Sequence, residues 1–396
     1  MAGCPELPAA LVTPRLRAGL VTPLSGELGG YGRAGALALE LWAAWHNRQF
    51  APRIELSVFD TGRDPLAALA RAEQMDLLFG PYGSGPTATI AAATSRLVWN
   101  HGGARVPPGP NLISVLAPAG TYFHGAVQVA RQADPDLRTA WVLAGGTGFG
   151  RAVAEGAARE AARLGLQVTE GRLDAPAQSP GMLPPEAPSA DVLPADVVPA
   201  DALPPDMLPP DMLPPDMLPA ETLPADMLLG AGRFAEEVAA ARRLLPGRRW
   251  RAAGFVGAGV DEVLAELGRD REGLLGPAQW LAETAPSPDE GPPAAEFAAA
   301  YRQRTGADPP YPAAQAFAAG VIATRCLREA GTADDAALAA AACALDCTTM
   351  FGRFRLDPQT RQQVGHRVLT VQWQDGARRV IWPPEQAEAR LRYPLP

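Results

Sequence analysis

The sequence contains no lysine: its 35 basic residues are all arginine. A site that depends on a lysine amine therefore cannot be built from this chain. Basic charge is also outnumbered, with 43 acidic residues, a net charge of -8 and an isoelectric point near 5.2. Binding a phosphate backbone needs a basic face, so nucleic acid is excluded as a partner. Histidine and cysteine are scarce, four of each. His46, His101, His124 and His366 are scattered singly, and no Cys/His spacing reads as a zinc site, so neither a metal nor a cofactor is expected. No paired carboxylates stand out, and Gly83-Ser84-Gly85 lacks the outer glycine spacing of a nucleophile elbow, so no catalysis is expected. No apolar run approaches ~18 residues, and no segment is expected to span a bilayer. The first strand begins almost at once, which is read as leaving no room for a secretory signal. Ala2-Gly3-Cys4 reads either as the end of a lipoprotein cleavage box or as a chance tripeptide.

What is present fits a globular protein. The 396 residues are enough for two α/β lobes, because single cores stop growing near ~250–300 residues. Hydrophobic residues make up 47% and mean hydropathy is -0.04, ordinary for a folded soluble chain. Strands are expected at 16–21, 54–59, 77–79 and 112–116, separated by helices through Leu37, Leu41, Ala44 and Trp45 and over 87–98. Asp64-Pro65 reads as a helix cap followed by proline at the first helical position. The alternation then restarts, with strands at 139–143, 167–173, 227–230 and 252–256 and helices at 150–164 and 234–245. Two successive α/β runs predict two similar lobes with parallel sheets. Helices at 294–304, 313–330 and 335–344 follow, and 352–356 with 367–373 reads as an antiparallel pair. Cys343 and Cys347 lie one helical turn apart; Cys326 is open to a disulfide with either in an oxidising compartment, and buried free thiols fit equally.

Between the strands at 167–173 and 227–230 the chain repeats a five-residue unit, clearest in Leu203-Pro204-Pro205-Asp206-Met207. A proline or two in every unit removes amide donors and breaks any helix. Residues 174–226 are therefore expected to be an extended, polyproline-like, mobile insertion. It reads as a spacer or as slippage tolerated in a surface loop, where added length is cheap.

The order of several loop motifs is more specific than any one of them. Thr22-Pro23-Leu24-Ser25-Gly26 follows the first strand, and Tyr31-Gly32 opens the next helix. Gly80-Pro81-Tyr82-Gly83-Ser84-Gly85 follows the third strand, and Ile113-Ser114 with Ala117 the fourth. Phe149-Gly150, Gly230-Ala231-Gly232-Arg233, Phe255-Val256-Gly257 and Gly352-Arg353-Phe354 with Asp357-Pro358 complete the series. In this order they resemble the leucine/isoleucine/valine-binding family of type I periplasmic binding proteins, over roughly residues 16–173 and 226–383. The resemblance implies two Rossmann-like lobes joined by three crossovers, with a small ligand in the cleft and closure by hinge bending. It places lobe 1 at 16–120 plus 282–347 and lobe 2 at 121–281 plus 348–396. It implies an extracytoplasmic protein, membrane-anchored if lipidated, that hands an amino acid, organic acid or amide to an ABC permease. A chain with no export signal would instead be a cytoplasmic ligand sensor of the same fold.

Mapped by motif, Tyr31 takes the place of an aromatic over the ligand, and Tyr82 lies in the same loop as Ser84. Ser84 takes the place of a serine that bonds the ligand carboxylate through hydroxyl and backbone. Ala117 falls where backbone groups contact the ligand, although Pro118 stands where the family usually has threonine. Phe149 matches a lobe-two aromatic without its usual phenol. The acid that commonly holds the ligand ammonium should lie in Val256-Gly257-Ala258-Gly259, where none exists, and Asp261 and Glu262 are read as the start of a helix. Arg233 stands where the family contributes an aromatic. A missing ammonium partner and an added cation point to a carboxylate or other anion without a free ammonium group. Trp280 lies near an expected crossover and lines the cleft or packs the hinge. Each has a plainer reading: Tyr31 as a packed loop aromatic, Ser84 as a helix cap, Phe149 as core, Arg233 as a solvated surface group.

One enzyme reading competes. Gly145-Gly146-Thr147-Gly148-Phe149-Gly150 follows a strand, opens a helix and has Glu170 at the end of the next strand, as in a dinucleotide-binding fold. Its spacing departs from G-x-G-x-x-G, a full α/β run precedes it, and a Tyr-x-x-x-Lys pair cannot exist without lysine.

Overall fold

The computed structural model describes residues 15–395 apart from 63, 174–224, 247–249 and 261–262. Ala2-Gly3-Cys4, nearly all of the proline-rich repeat, Asp261 and Glu262 lie outside the described residues. The chain divides into two compact units. Unit 1 holds the described residues up to Pro118 together with Gln279–Arg367, and unit 2 holds Ala119–Ala278 together with Val368 onward. The backbone thus passes between them three times.

Unit 1 starts with β1 (Arg15–Thr22), α1 (Gly29–Gln49), β2 (Arg53–Asp60), α2 (Pro65–Ala72), β3 (Leu77–Phe79), α3 (Ser84–Ala93), β4 (Val98–Asn100) and β5 (Leu112–Ser114). The five strands form one parallel sheet in the order β2-β1-β3-β4-β5. Strand alternation sorts its side chains between two cores. Leu16, Ala18, Leu20, Leu77, Phe79, Trp99 and Ile113 share one with Trp42 of α1. Val21, Leu78, Val98 and Leu112 share the other with Leu69 of α2 and Ile90 of α3. Asp64 caps α2 as its sequence predicts, its Oδ1 accepting from the Ala67 amide at 2.9 Å.

The expected helix over 87–98 starts earlier and stops at Ala93. Thr94 is extended, and Leu97-Val98-Trp99, which reads as a last helical turn, supplies β4 instead. The break is held by Arg96, whose guanidinium donates to the carbonyl oxygens of Glu73, Met75 and Asp76 and to Asp335.

Unit 2 follows with α4 (His124–Ala133), β6 (Thr139–Ala144), α5 (Gly148–Arg163), β7 (Gln167–Arg172), β8 (Met227–Ala231), α6 (Phe234–Leu244), β9 (Ala252–Phe255) and β10 (Leu275–Ala278). The start of β8 is clasped to the start of β6. The Asp226 carboxylate accepts from the amides of Arg138 (2.8 Å) and Thr139 (3.0 Å) and from the Thr139 hydroxyl (3.0 Å).

Returning to unit 1, the chain forms α7 (Ala294–Thr305), α8 (Tyr311–Ala330), α9 (Asp335–Ala344), β11 (Asp346–Thr349) and β12 (Gly352–Arg355). It ends in unit 2 with β13 (Leu369–Gln374) and β14 (Ala377–Trp382). The second sheet runs β14-β13-β10-β9-β8-β6-β7, parallel except at β13 and β14.

This corrects two expectations. The segment 352–356 does not pair with 367–373: β12 pairs with β11 in a two-stranded hairpin, and β13 pairs with β10 and β14. Residues 348–367 belong to unit 1 rather than to the second lobe, because Met350, Phe351, Phe354 and Leu356 are buried in its core. Cys326, Cys343 and Cys347 are all free, and burial pushes the thiols of Cys326 and Cys347 up to about 12, out of reach of thiolate chemistry at neutral pH.

Two close contacts generate tests. A Cβ on Gly320 of α8 would stand 2.3 Å from the Trp42 ring of α1. Gly320→Ala is expected to destabilise the protein by about 1–3 kcal/mol through overpacking, read as a lower urea midpoint. His101 and His366 are buried, and loss of solvation lowers each imidazole to about 4. Between about pH 6.5 and this value the unfolded chain binds more protons, so stability falls as pH falls through that window, by up to about 3 kcal/mol per histidine. His101→Gln should show a smaller loss of melting temperature on moving from about pH 7 to about pH 4.5 than the parent protein does.

Candidate functional site

In a parallel sheet the functional loops lie beyond the carboxyl ends of the strands. In unit 1 these loops bring three tyrosines together. Tyr31 is in the first turn of α1, Tyr82 follows β3, and Tyr311 is the first residue of α8. The Tyr31 and Tyr82 rings are 4.8 Å apart at an interplanar angle of 34°. Tyr311 stands 6.5 Å from each, and its hydroxyl is hydrogen-bonded to that of Tyr82 at 2.5 Å. All three rings are half-buried, so each keeps an accessible portion.

The motif glycines make this approach feasible. A Cβ on Gly32 would lie 1.8 Å from the Pro23 carbonyl oxygen, so the loop after β1 can lie on α1 only with glycine there. Gly83 caps α3 at a φ of +103°, a backbone region that favours glycine.

Ser84 is consequently the first residue of its helix and not the cap, and its hydroxyl accepts the Arg105 amide at 3.1 Å. The leading amides of a helix have no partner within it. Those of Ser84 and Gly85 therefore open at the α3 N-terminus, where partial positive charge favours an anion. The loop after β4 is pressed against this turn: a Cβ on Gly102 would stand 2.4 Å from the Tyr82 Cα. Asn100 holds that loop, accepting from the amides of Gly102 (3.1 Å) and Gly103 (2.8 Å) and donating to Ser114 Oγ (2.8 Å). Ala117 is buried at the end of the same run.

Tyr311 and Asn100 escape sequence reasoning. Pro309-Pro310 and Pro312 mark a helix start at Tyr311, but an expected start at 313 leaves it in a loop. Trp280 is a core residue: its indole packs edge-on to Phe297 at 6.2 Å and donates to the Met350 carbonyl at 2.9 Å.

In unit 2 the glycine run before α5 packs against its neighbouring loop. Thr147 caps the helix, accepting from the Gly150 amide at 2.9 Å. A Cβ on Gly150 would lie 2.6 Å from the Ala231 carbonyl oxygen, and one on Gly145 would lie 2.2 Å from Glu236 Oε2. A carboxylate thus stands against the run where a dinucleotide would need to place its pyrophosphate, which opposes phosphate binding. Phe149, half-buried, meets the Tyr122 ring edge-on at 5.4 Å.

Arg233 is exposed at the start of α6, its backbone amide donating to Glu236 Oε2 at 3.0 Å. Its guanidinium forms no ion pair among the described residues. Val256–Gly259 is a buried 3-10 turn. A carboxylate does reach it, but from α6: Glu237 accepts the Gly257 amide at 2.6 Å and the Gly232 amide at 3.0 Å while fully buried. Burial pushes its acid up to about 8, against the pull of the backbone donors. In sequence it looks like an ordinary acidic residue in a first helical turn. Among the described residues no group of three His, Cys, Asp or Glu side chains is arranged to hold a metal ion, and no helix is long and apolar enough to cross a membrane.

Comparison with known proteins places this geometry. The periplasmic binding protein family matches residues 15–192 and 230–378. No curated protein matches the chain. Among solved structures, a leucine-binding protein from Thermotoga maritima is similar at 15% identity, with 92% of this chain and 97% of that one covered and a TM-score of 0.66. A putative branched-chain amino acid ABC transporter protein from Silicibacter pomeroyi is similar at 13% identity, covering 96% and 99%, with a TM-score of 0.70. A solute-binding protein of an ABC transporter from R. palustris, solved with benzoate, is similar at 16% identity, covering 95% and 98%, with a TM-score of 0.63. The order of loop motifs, the two parallel sheets and the extent of the match agree: the chain belongs to the periplasmic binding protein family and has its type I fold.

Proposed function

We propose that this protein is the substrate-binding component of an ABC importer, working outside the cytoplasm and binding a small carboxylate that has no free ammonium group. It binds without turnover and delivers the ligand to a permease. The observation that carries this reading is the division of charge among the candidate residues. In unit 1 the α3 N-terminus offers the amides of Ser84 and Gly85 to an anion beside the rings of Tyr31, Tyr82 and Tyr311. In unit 2 Arg233 is exposed. The two carboxylates next to it are committed elsewhere, Glu236 to the Arg233 amide and Glu237 to Gly232 and Gly257. An α-amino acid would bring an ammonium group with no acid to meet it. Three phenol rings suit a flat aromatic acid, by stacking or edge contact, and a relative of the same fold was solved with benzoate.

A thermal-shift screen tests the reading. At 100 times its dissociation constant a ligand stabilises the folded protein by ~2.7 kcal/mol. Benzoate and related acids without an amine are expected to raise the melting temperature, and leucine is not. A free α-amino acid as the best hit, with amine-free acids inert, would overturn the charge argument. Replacing Arg233 by alanine removes a hydrogen bond between charged groups and should weaken benzoate binding about ten-fold or more, measured by titration calorimetry. An unchanged affinity would place Arg233 among the solvated surface groups.

A further inference from the structure

Glu237 is the fully buried carboxylate of unit 2, and no described cation faces it. Acidic side chains are almost never buried completely unless paired, so its placement requires a reason. Its partners are backbone amides on two different loops. Oε1 accepts from Gly232, in the loop that follows β8 and carries Arg233, and Oε2 accepts from Gly257, in the turn that follows β9. Strands β8 and β9 are hydrogen-bonded neighbours through Gly230 and Phe255, but beyond those residues no ladder continues. The carboxylate takes over there. Glycine is needed at the turn, since a Cβ on Gly257 would stand 2.5 Å from Val263 and 2.9 Å from Glu237 Oε2.

We propose that Glu237 is a positioning residue: its two oxygens tie the loop after β8 to the turn after β9, and so fix where Arg233 and the Val256–Gly259 backbone stand. Its bearing on ligand binding rests on the reading of Arg233 given above. The tie itself does not.

The bracket depends on both oxygens accepting. A protonated carboxyl turns one oxygen into a donor facing an amide N–H, and one tie is lost. The charged groups around it are few. On its own helix Glu236 opposes ionisation. The loop after β8 contributes Arg233, and the turn Val256–Gly259 contributes none. From the 3-10 segment Ala265–Arg271 packed on α6, Glu266 is paired with Arg242. Burial brings the carboxyl to about 8, so the tie should loosen on going from mildly alkaline to neutral pH.

Two measurements decide the matter. In ligand-free protein labelled with 15N-glycine, the amide resonances of Gly232 and Gly257 should shift together through one titration, and that titration should be absent in Glu237→Gln. Amides that move independently, or that titrate unchanged in the variant, overturn the bracket. With benzoate as the probe, wild-type affinity should fall about ten-fold from about pH 9 to about pH 6.5, the size of one lost hydrogen bond to a charged group. Glu237→Gln should bind weakly with a flat profile, and Arg233→Ala should bind weakly yet keep the slope. A Glu237→Gln protein with wild-type affinity and slope overturns the positioning role. Wild-type protein that ignores benzoate counts against the proposed ligand class, while the glycine amides still judge the bracket without it. Should the variant fail to fold, the wild-type titration alone serves as the test.

Discussion

The close approach of α1 to α8 is the constraint on which the site-forming end of unit 1 depends. Gly320 lets the Trp42 ring lie against the α8 backbone, and a Cβ on Gly35 would stand 3.2 Å from the His101 ring and 3.6 Å from Ala316. Tyr31 and Tyr311 open these same two helices, so the distance between the helices sets the distance between the rings. Tyr82 joins them because the loop after β3 is pinned by Gly102 and Asn100. Aromatic proximity here results from backbone packing some turns away.

Unit 2 uses its acids differently from its glycines. Glu236 and Glu237 are consecutive, yet one lies against the glycine run before α5 and the other is sealed beneath the next two loops. Together they remove negative charge from the surface around Arg233 and supply internal hydrogen-bond acceptors. That arrangement explains how a region with no lysine and a single exposed cation can still favour an anion.

Much of the fold was legible in the sequence, for a simple reason. Buried parallel strands such as Leu77-Leu78-Phe79 read as short apolar runs bounded by turn residues, and Asp64-Pro65 marks a helix start chemically. What escaped was short or governed by distant contacts. Strand β4 has three residues, too few to show alternation, and sits where a helix could plausibly have ended. Helix α4 carries glycine and alanine on its buried face, which give little hydrophobic contrast. The hairpin of β11 and β12 could not be told from a longer-range pairing, because register depends on which core receives Met350 and Phe351. The candidate residues divide in the same way. Tyr31, Tyr82 and Ser84 are marked by loop motifs, whereas Tyr311, Asn100 and Glu237 act through partners far away in sequence.

The clasp at Asp226 bears on how the second sheet tolerates the repeat that precedes it. Asp-Met-Leu is spelled four times, at 206–208, 211–213, 216–218 and 226–228. Each copy offers the same anchor for β6. In the first three the next residue is proline, which cannot donate to an interior ladder. Only after Leu228 does the chain read Leu229-Gly230-Ala231, with an amide at every position. The strand therefore selects its own beginning by what comes after the anchor, and copies can be gained or lost upstream without shifting a single rung.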